Sequence, residues 1–128
     1  MDFENVSVLI VEKDEVNKVH LSSKVRNLGV SDVDACFIEE AMAALSKKTY
    51  HLVLININLT TLSGLNLIKM MRSSGDPTVA NVYIVAISAS DQREVRFDSI
   101  EGGADAFLSK PVCDDDLHLN ILPLLRRA

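Results

Sequence analysis

Three stretches, "VSVLIV" (6–11), "LVLIN" (52–56) and "VYIVAI" (82–87), are almost uninterrupted runs of Val, Ile and Leu. A strand with one face in water alternates apolar and polar residues. A run without alternation reads as a strand covered on both faces, which in a chain of this size means a parallel sheet between two layers of helix. "AFL" (106–108) is a shorter run of the same kind, and "VDACF" (33–37) is a weaker strand candidate.

Helical patterns fill the spaces between. Asn17, Leu21, Val25 and Leu28 share one helical face, and Gly29 suits the residue just past that helix's end. "EEAMAALSKK" (39–48) is built of strong helix formers with basic residues at its carboxyl end. Leu65, Ile68 and Met71 line up in a third helix. Asp91 with Glu94 can cap a fourth, and Asp114 to Asp116 bring acid to the start of a fifth. The order is βα repeated five times. That order predicts an α/β domain whose parallel sheet is covered on both faces, with right-handed crossovers.

The 128 residues fit one domain spanning 1–128, with no internal repeat or linker. The net charge of −5 lacks the basic stripe that nucleic-acid binding needs. No apolar run approaches the about 20 residues of a membrane span, and the acidic start "MDFENVSVLIV" is unlike a signal peptide. A cytoplasmic protein is expected. Cys36 and Cys113 show no metal-ligand spacing and read as buried or half-buried small hydrophobes. His20, His51 and His118 are scattered, as surface or half-buried histidines are.

In open parallel sheets, sites lie beyond the carboxyl ends of the strands. Glu12, Lys13 and Asp14 follow the first strand, Asn56 ends the third, Ser88 follows the fourth, and Lys110–Pro111 follows the fifth. These groups should converge on one pocket.

Over nearly its whole length the chain resembles a response-regulator receiver domain, of the CheY-like superfamily, which implies a flavodoxin-like (βα)5 doubly wound sheet with five parallel strands in the order 2-1-3-4-5. The resemblance is carried by "VLIVEKDEVNKVHLSSKVRNLG", "YHLVLININLTTLSGLNLIKMMR", "VAISAS" and most specifically "GGADAFLSKPV". It implies two-component signalling, in which an aspartate attacks a phosphodonor while Mg²⁺ neutralises the transferring group. By position, Glu12 matches the first acidic residue, Ser88 the hydroxyl, Phe107 the switch aromatic and Lys110 the phosphate-binding lysine. Lys110–Pro111 is expected to be cis, as in the family.

The departures decide the functional expectation. Asn56 stands at the phosphoacceptor position and Lys13 at the second acidic one. Asp14 reads as the N-cap of the first helix. "NLTTLSG" replaces the usual Met-Pro after the acceptor, and Pro123 should stop or kink the fifth helix near Leu122. Glu12, Lys13 and Asn56 cancel in formal charge before Lys110 is added, whereas Mg²⁺ wants carboxylates. Nucleophile and metal site are both missing, the backbone carbonyl of Asn58 loses its metal role, and Asn56 is left to hydrogen-bond only. Lys13 or Lys110 should then supply the charge that Glu12 needs, with Lys13 taking the place of the metal.

A degenerate, phosphorylation-independent receiver is therefore expected: no enzyme and no cofactor, with Mg²⁺ binding lost or weak. It would contact a protein partner or a second copy through the fourth helix, fifth strand and fifth helix. The ending "LLRRA" suits a cut before a linker and an effector domain. Two other readings compete. One is a phosphorylatable receiver, served by a histidine kinase or phosphotransfer protein, caught as an Asp-to-Asn variant; Lys13 and Thr60 argue against it. The other is a small-molecule or nucleotide-binding flavodoxin-like protein, which would need a Gly-rich strand-to-helix turn or a Ser and Thr loop cradling phosphate; "VEKDEVN" has neither, and "LTTLSG" is only a weak loop of the second kind.

Overall fold

The computed structural model describes residues 3–57, 63–89 and 93–127. In chain order the elements are β1 (Phe3–Val11), α1 (Glu15–Asn27), β2 (Val30–Cys36), a 3₁₀ turn (Ile38–Glu40), α2 (Ala41–Lys47), β3 (Leu52–Ile57), α3 (Ser63–Arg72), α4 (Pro77–Ala80), β4 (Tyr83–Ser88), α5 (Arg93–Gly102), β5 (Ala106–Ser109), α6 (Asp114–Asn120) and α7 (Leu122–Arg127). All strand pairs are parallel and the order is β2-β1-β3-β4-β5. The apolar runs and their helical spacers predict the parallel sheet, and the resemblance to a receiver domain implies its flavodoxin-like strand order.

Each face of the sheet buries its own cluster. Leu9, Val11, Val53, Ile55, Ile57, Ala86 and Phe107 point to the side covered by α2, α3 and α5. Val8, Ile10, Leu52, Leu54, Val85, Ile87 and Leu108 point to the side covered by α1, α6 and α7. Strand alternation thus sorts every residue at the sheet's carboxyl edge onto one face or the other.

Local chemistry explains the helix boundaries. Asp14 is extended and its carboxylate accepts from the amides of Val16 and Asn17, so it caps α1 as expected. Gly29 has φ 108°, a left-handed turn that sends the chain back into β2. The last helical stretch breaks at Ile121 into α6 and α7, with Pro123 in the first turn of α7, close to the expected interruption at Leu122. The proposed cap residue Asp91 and the "LTTL" part of the loop after β3 lie outside the described residues.

Two elements differ from the sequence reading. β2 begins at Val30, because Val30 pairs with Phe3 and is 1% exposed. Asp32 and Asp34 disguise it, and both pair with the single ammonium of Lys48, at 2.8 and 3.0 Å. The short α4 is unanticipated; it is capped by Asp76, which accepts from the Thr78 amide, with Pro77 at its first turn.

Candidate functional site

The carboxyl edge of the sheet is set by register. Val11 pairs with Ile55, Asn56 with Ile87, and Ser88 with both Ile57 and Ser109. Alternation then assigns the side chains. Glu12 follows Ile10 in parity, Asn56 follows Leu54, and Lys110 follows Leu108. All three share the parity of residues on the α1/α6 side, but Glu12 and Asn56 border a cavity lined by Ile38, Ser63 and Gly64, and Lys110 borders another with Asn17, His20 and Leu21. Ser88 shares parity with Ala86, and Phe107 lies with it on the α3/α5 side. One end of the sheet therefore carries Glu12 and Asn56 at one cavity, Lys110 reaching Glu12 from a neighbouring one, and Ser88 and Phe107 towards α3 and α5.

The Glu12 side chain is 1% exposed, and Lys110 Nζ stands 3.0 Å from its Oε2. Its Oε1 accepts from the Asp14 amide at 3.2 Å. Lys110 is held in turn: its amide donates to the Ser88 carbonyl at 2.7 Å, and the Lys110–Pro111 peptide is cis, as expected. Burying a carboxylate is costly unless it is paired and hydrogen-bonded, and both requirements are met here.

Lys13 does not provide that pairing. It is exposed at the pocket mouth and makes no ion pair among the described residues. The reason is parity: the residue after Glu12 turns to the other side of the chain, whereas Lys110 reaches Glu12 from above the sheet edge. Asn56 departs from expectation too. It is half-buried, and its side-chain amide makes no hydrogen bond to a described residue. It borders a cavity of about 200 Å³ shared with Glu12, Lys13 and Gly64.

Gly64 was not singled out from sequence. A Cβ there would come 2.8 Å from Ile57 Cδ1 and 3.0 Å from the Asn56 carbonyl oxygen, so α3 sits directly against the end of β3. Its only sequence signal is a glycine in the first turn of an apolar helix. Arg96 was also missed: its guanidinium lies 4.8 Å from the centre of the buried Phe107 ring. Ser88 is 2% exposed.

Of the remaining candidates only Cys36 lies at this edge, where its carbonyl accepts from the Glu12 amide at 3.1 Å. His20 and His118 are exposed, and His51 Nδ1 accepts from the Ser7 amide at 3.0 Å. Cys36 is half-buried, and burial, followed by the nearby Glu40 charge, pushes its thiol up to about 11. Cys113 corrects the sequence reading: it is exposed, because it precedes α6 in the loop that leaves the sheet.

Residues 8–122 match the family model of the response regulator receiver domain. The chain belongs to that family. It is 29% identical over 124 residues to the two-component response regulator PhoP of Pseudomonas aeruginosa, covering 96% of this chain and 53% of that protein. It is 34% identical over 91 residues to the probable transcriptional regulatory protein y4xI of Sinorhizobium fredii, covering 71% of this chain and 38% of that one. The receiver therefore spans about half or less of these two curated relatives. Among solved structures, the Francisella response regulator 1452 receiver domain superposes with a TM-score of 0.81 at 25% identity, covering 96% of this chain and 98% of that one. Among the described residues no helix is long and apolar enough to cross a membrane.

Proposed function

We propose that this receiver works as a phosphorylation-independent binding module, in the cytoplasm, within a two-component-type signalling protein. One observation carries the reading: the residue at the acceptor position is an amide, and the neighbouring carboxylate is taken by Lys110 at 3.0 Å. An amide is too weak a nucleophile to displace a leaving group from phosphorus. Mg²⁺ fits these residues poorly. Glu12 offers one carboxylate that already neutralises an ammonium, Lys13 brings a second cation to the mouth, and Asn56 offers only a neutral oxygen. Asn58 lies outside the described residues. The module's contact surface is formed by α5, β5 and the α6–α7 pair, where Phe97 is 60% and Ile100 46% exposed, facing a partner or a second copy.

Intact-mass spectrometry after treatment with acetyl phosphate and Mg²⁺ tests this. No phosphoryl adduct is expected on residues 52–64. A stoichiometric adduct there overturns the reading. The Asn56→Asp protein separates the alternative: ready, Mg²⁺-dependent labelling would mean a working receiver altered at one side chain.

A further inference from the structure

A cavity beside α1 departs from the charge of the chain. Acidic residues outnumber lysines and arginines by 18 to 13. Yet this cavity of about 330 Å³ is bordered by Lys24, Lys110 and His20, and no aspartate or glutamate lines it among the described residues. We propose that it binds a small carboxylate with an apolar body, and that this ligand is the module's input in place of phosphate. This rests on the reading that the acceptor position no longer takes phosphate.

Two walls build the cavity. Asn17, His20, Leu21 and Lys24 recur at three- and four-residue spacing, so they form one stripe of α1. The facing wall is the stretch of residues 110–112, where the chain leaves β5 for α6. The lining has the mixture that recognition of a small amphipathic molecule needs, and the volume falls within the usual range of such sites. Leu21, Pro111 and Val112 supply apolar surface. The two lysines supply donors and no acceptor.

The lysines differ in how firmly they are held. Lys110 is committed to Glu12, whose side chain is 1% exposed, and removing it would leave a buried carboxylate unpaired. Lys24 pairs with Asp114 at 3.1 Å, and the Asp114 side chain is 78% exposed. An exposed pair of that kind holds weakly, and water can solvate Asp114 when another anion takes Lys24. The ligand's carboxylate therefore replaces Asp114 at Lys24 Nζ, while its apolar body lies on Leu21 and Val112. Inorganic phosphate would gain the charge without the apolar contact, and an amine would be repelled. Lys24–Asp114 also ties α1 to the first residue of α6, which belongs to the module's contact surface. Exchange at Lys24 unties that end of the surface.

Amide NMR of the full chain reads the exchange. The probes are phenylacetate and hexanoate, set against phenethylamine, which carries a cation instead of the carboxylate, and inorganic phosphate. Either carboxylate should move the amides of Leu21, Lys24, Val112 and Asp114 saturably. Lys24→Gln should weaken this by about tenfold or more, because it removes a charge-assisted hydrogen bond. Lys24→Arg keeps the cation and should retain binding. No saturable shift with either carboxylate overturns the proposal. So do equal shifts with phenethylamine, or unchanged affinity in Lys24→Gln. Phosphate that binds at these amides as tightly as the carboxylates overturns it too, since the apolar wall would then contribute nothing. A phosphoryl adduct on residues 52–64 after acetyl phosphate strikes instead at the parent reading; absent carboxylate shifts without such an adduct strike only at this site.

Discussion

At the scale of single residues, the receiver's edge is decided by parity and by one glycine. Glu12, Asn56 and Lys110 were legible in the sequence because each follows an apolar run, and the run's end marks the sheet's carboxyl edge. Which lysine meets Glu12 was not legible. Sequence adjacency favours Lys13, and only the strand order shows that Lys110 crosses to it. Gly64 is the other silent residue, since nothing in a local pattern says that backbone passes within van der Waals distance. Its demand can be measured. Gly64→Ala puts a methyl 3.0 Å from the Asn56 carbonyl oxygen, and the Ile57 side chain can yield but a backbone carbonyl in a central strand cannot. Ala favours helix over Gly, yet overpacking of this kind costs about 1–3 kcal/mol. Urea denaturation of Gly64→Ala should show a net loss of about 1 kcal/mol or more. A stabilised variant would mean that α3 moves off β3 freely.

At the scale of elements, the joints are held by a side chain that no motif announces. Arg72 ends α3, and its guanidinium donates to the carbonyls of Gly103 at 2.9 Å, Ala80 at 2.9 Å and Val82 at 2.6 Å. It also pairs with Asp105 at 3.0 Å, and the same Asp105 oxygen accepts from the Ile84 amide at 2.8 Å. One planar fork thus ties α3 to the end of α4, the entry to β4 and the turn from α5 to β5. The turn itself needs Gly103, at φ 124°, where a Cβ would strike Arg72 Cγ at 2.6 Å. Element order was readable because buried strands and amphipathic helices leave periodic patterns. This joint was not, because its acceptors are backbone carbonyls, which every residue carries. Arg72→Ala leaves those carbonyls without their donor, and the loss should be about 3 kcal/mol. Arg72→Lys should not restore it, since a single ammonium cannot serve separated acceptors in a plane. Denaturant midpoints of both variants check this, and full recovery by lysine would reduce the fork to a simple charge.

At the scale of the whole molecule, the two ends of the sheet have different electrostatic tasks. The carboxyl edge holds a buried pair, whereas a half-exposed network near the sheet's other end joins β2 to the entry of β3. There Lys48 bonds Asp32 and Asp34, Ser7 Oγ donates to Asp32 at 2.6 Å, and Tyr50 donates its hydroxyl to Asp34 at 2.6 Å. The hydrogen bond from Lys48, then that from Ser7, lowers Asp32 below its ordinary value; those from Tyr50 and then Lys48 lower Asp34. Burial, then the bond to Asp34, pushes the Tyr50 hydroxyl up to about 12 from an ordinary 10.0. The signs follow from linkage. A depressed carboxylate contributes stability that is present above the unfolded value of 3.8 and is lost as pH falls through the lower folded values. A raised phenol contributes stability that is complete below pH 10 and is lost as pH rises toward about 12. Urea midpoints followed across both limbs should therefore fall at each end. Asp32→Asn with Asp34→Asn should flatten the acid limb relative to the native chain, and Tyr50→Phe the alkaline one. Because the side chains are 39–46% exposed, salt should weaken the acid effect. Limbs of unchanged slope in these variants would mean that the network is as well solvated folded as unfolded, and that β2 is held by its ladder to β1 alone.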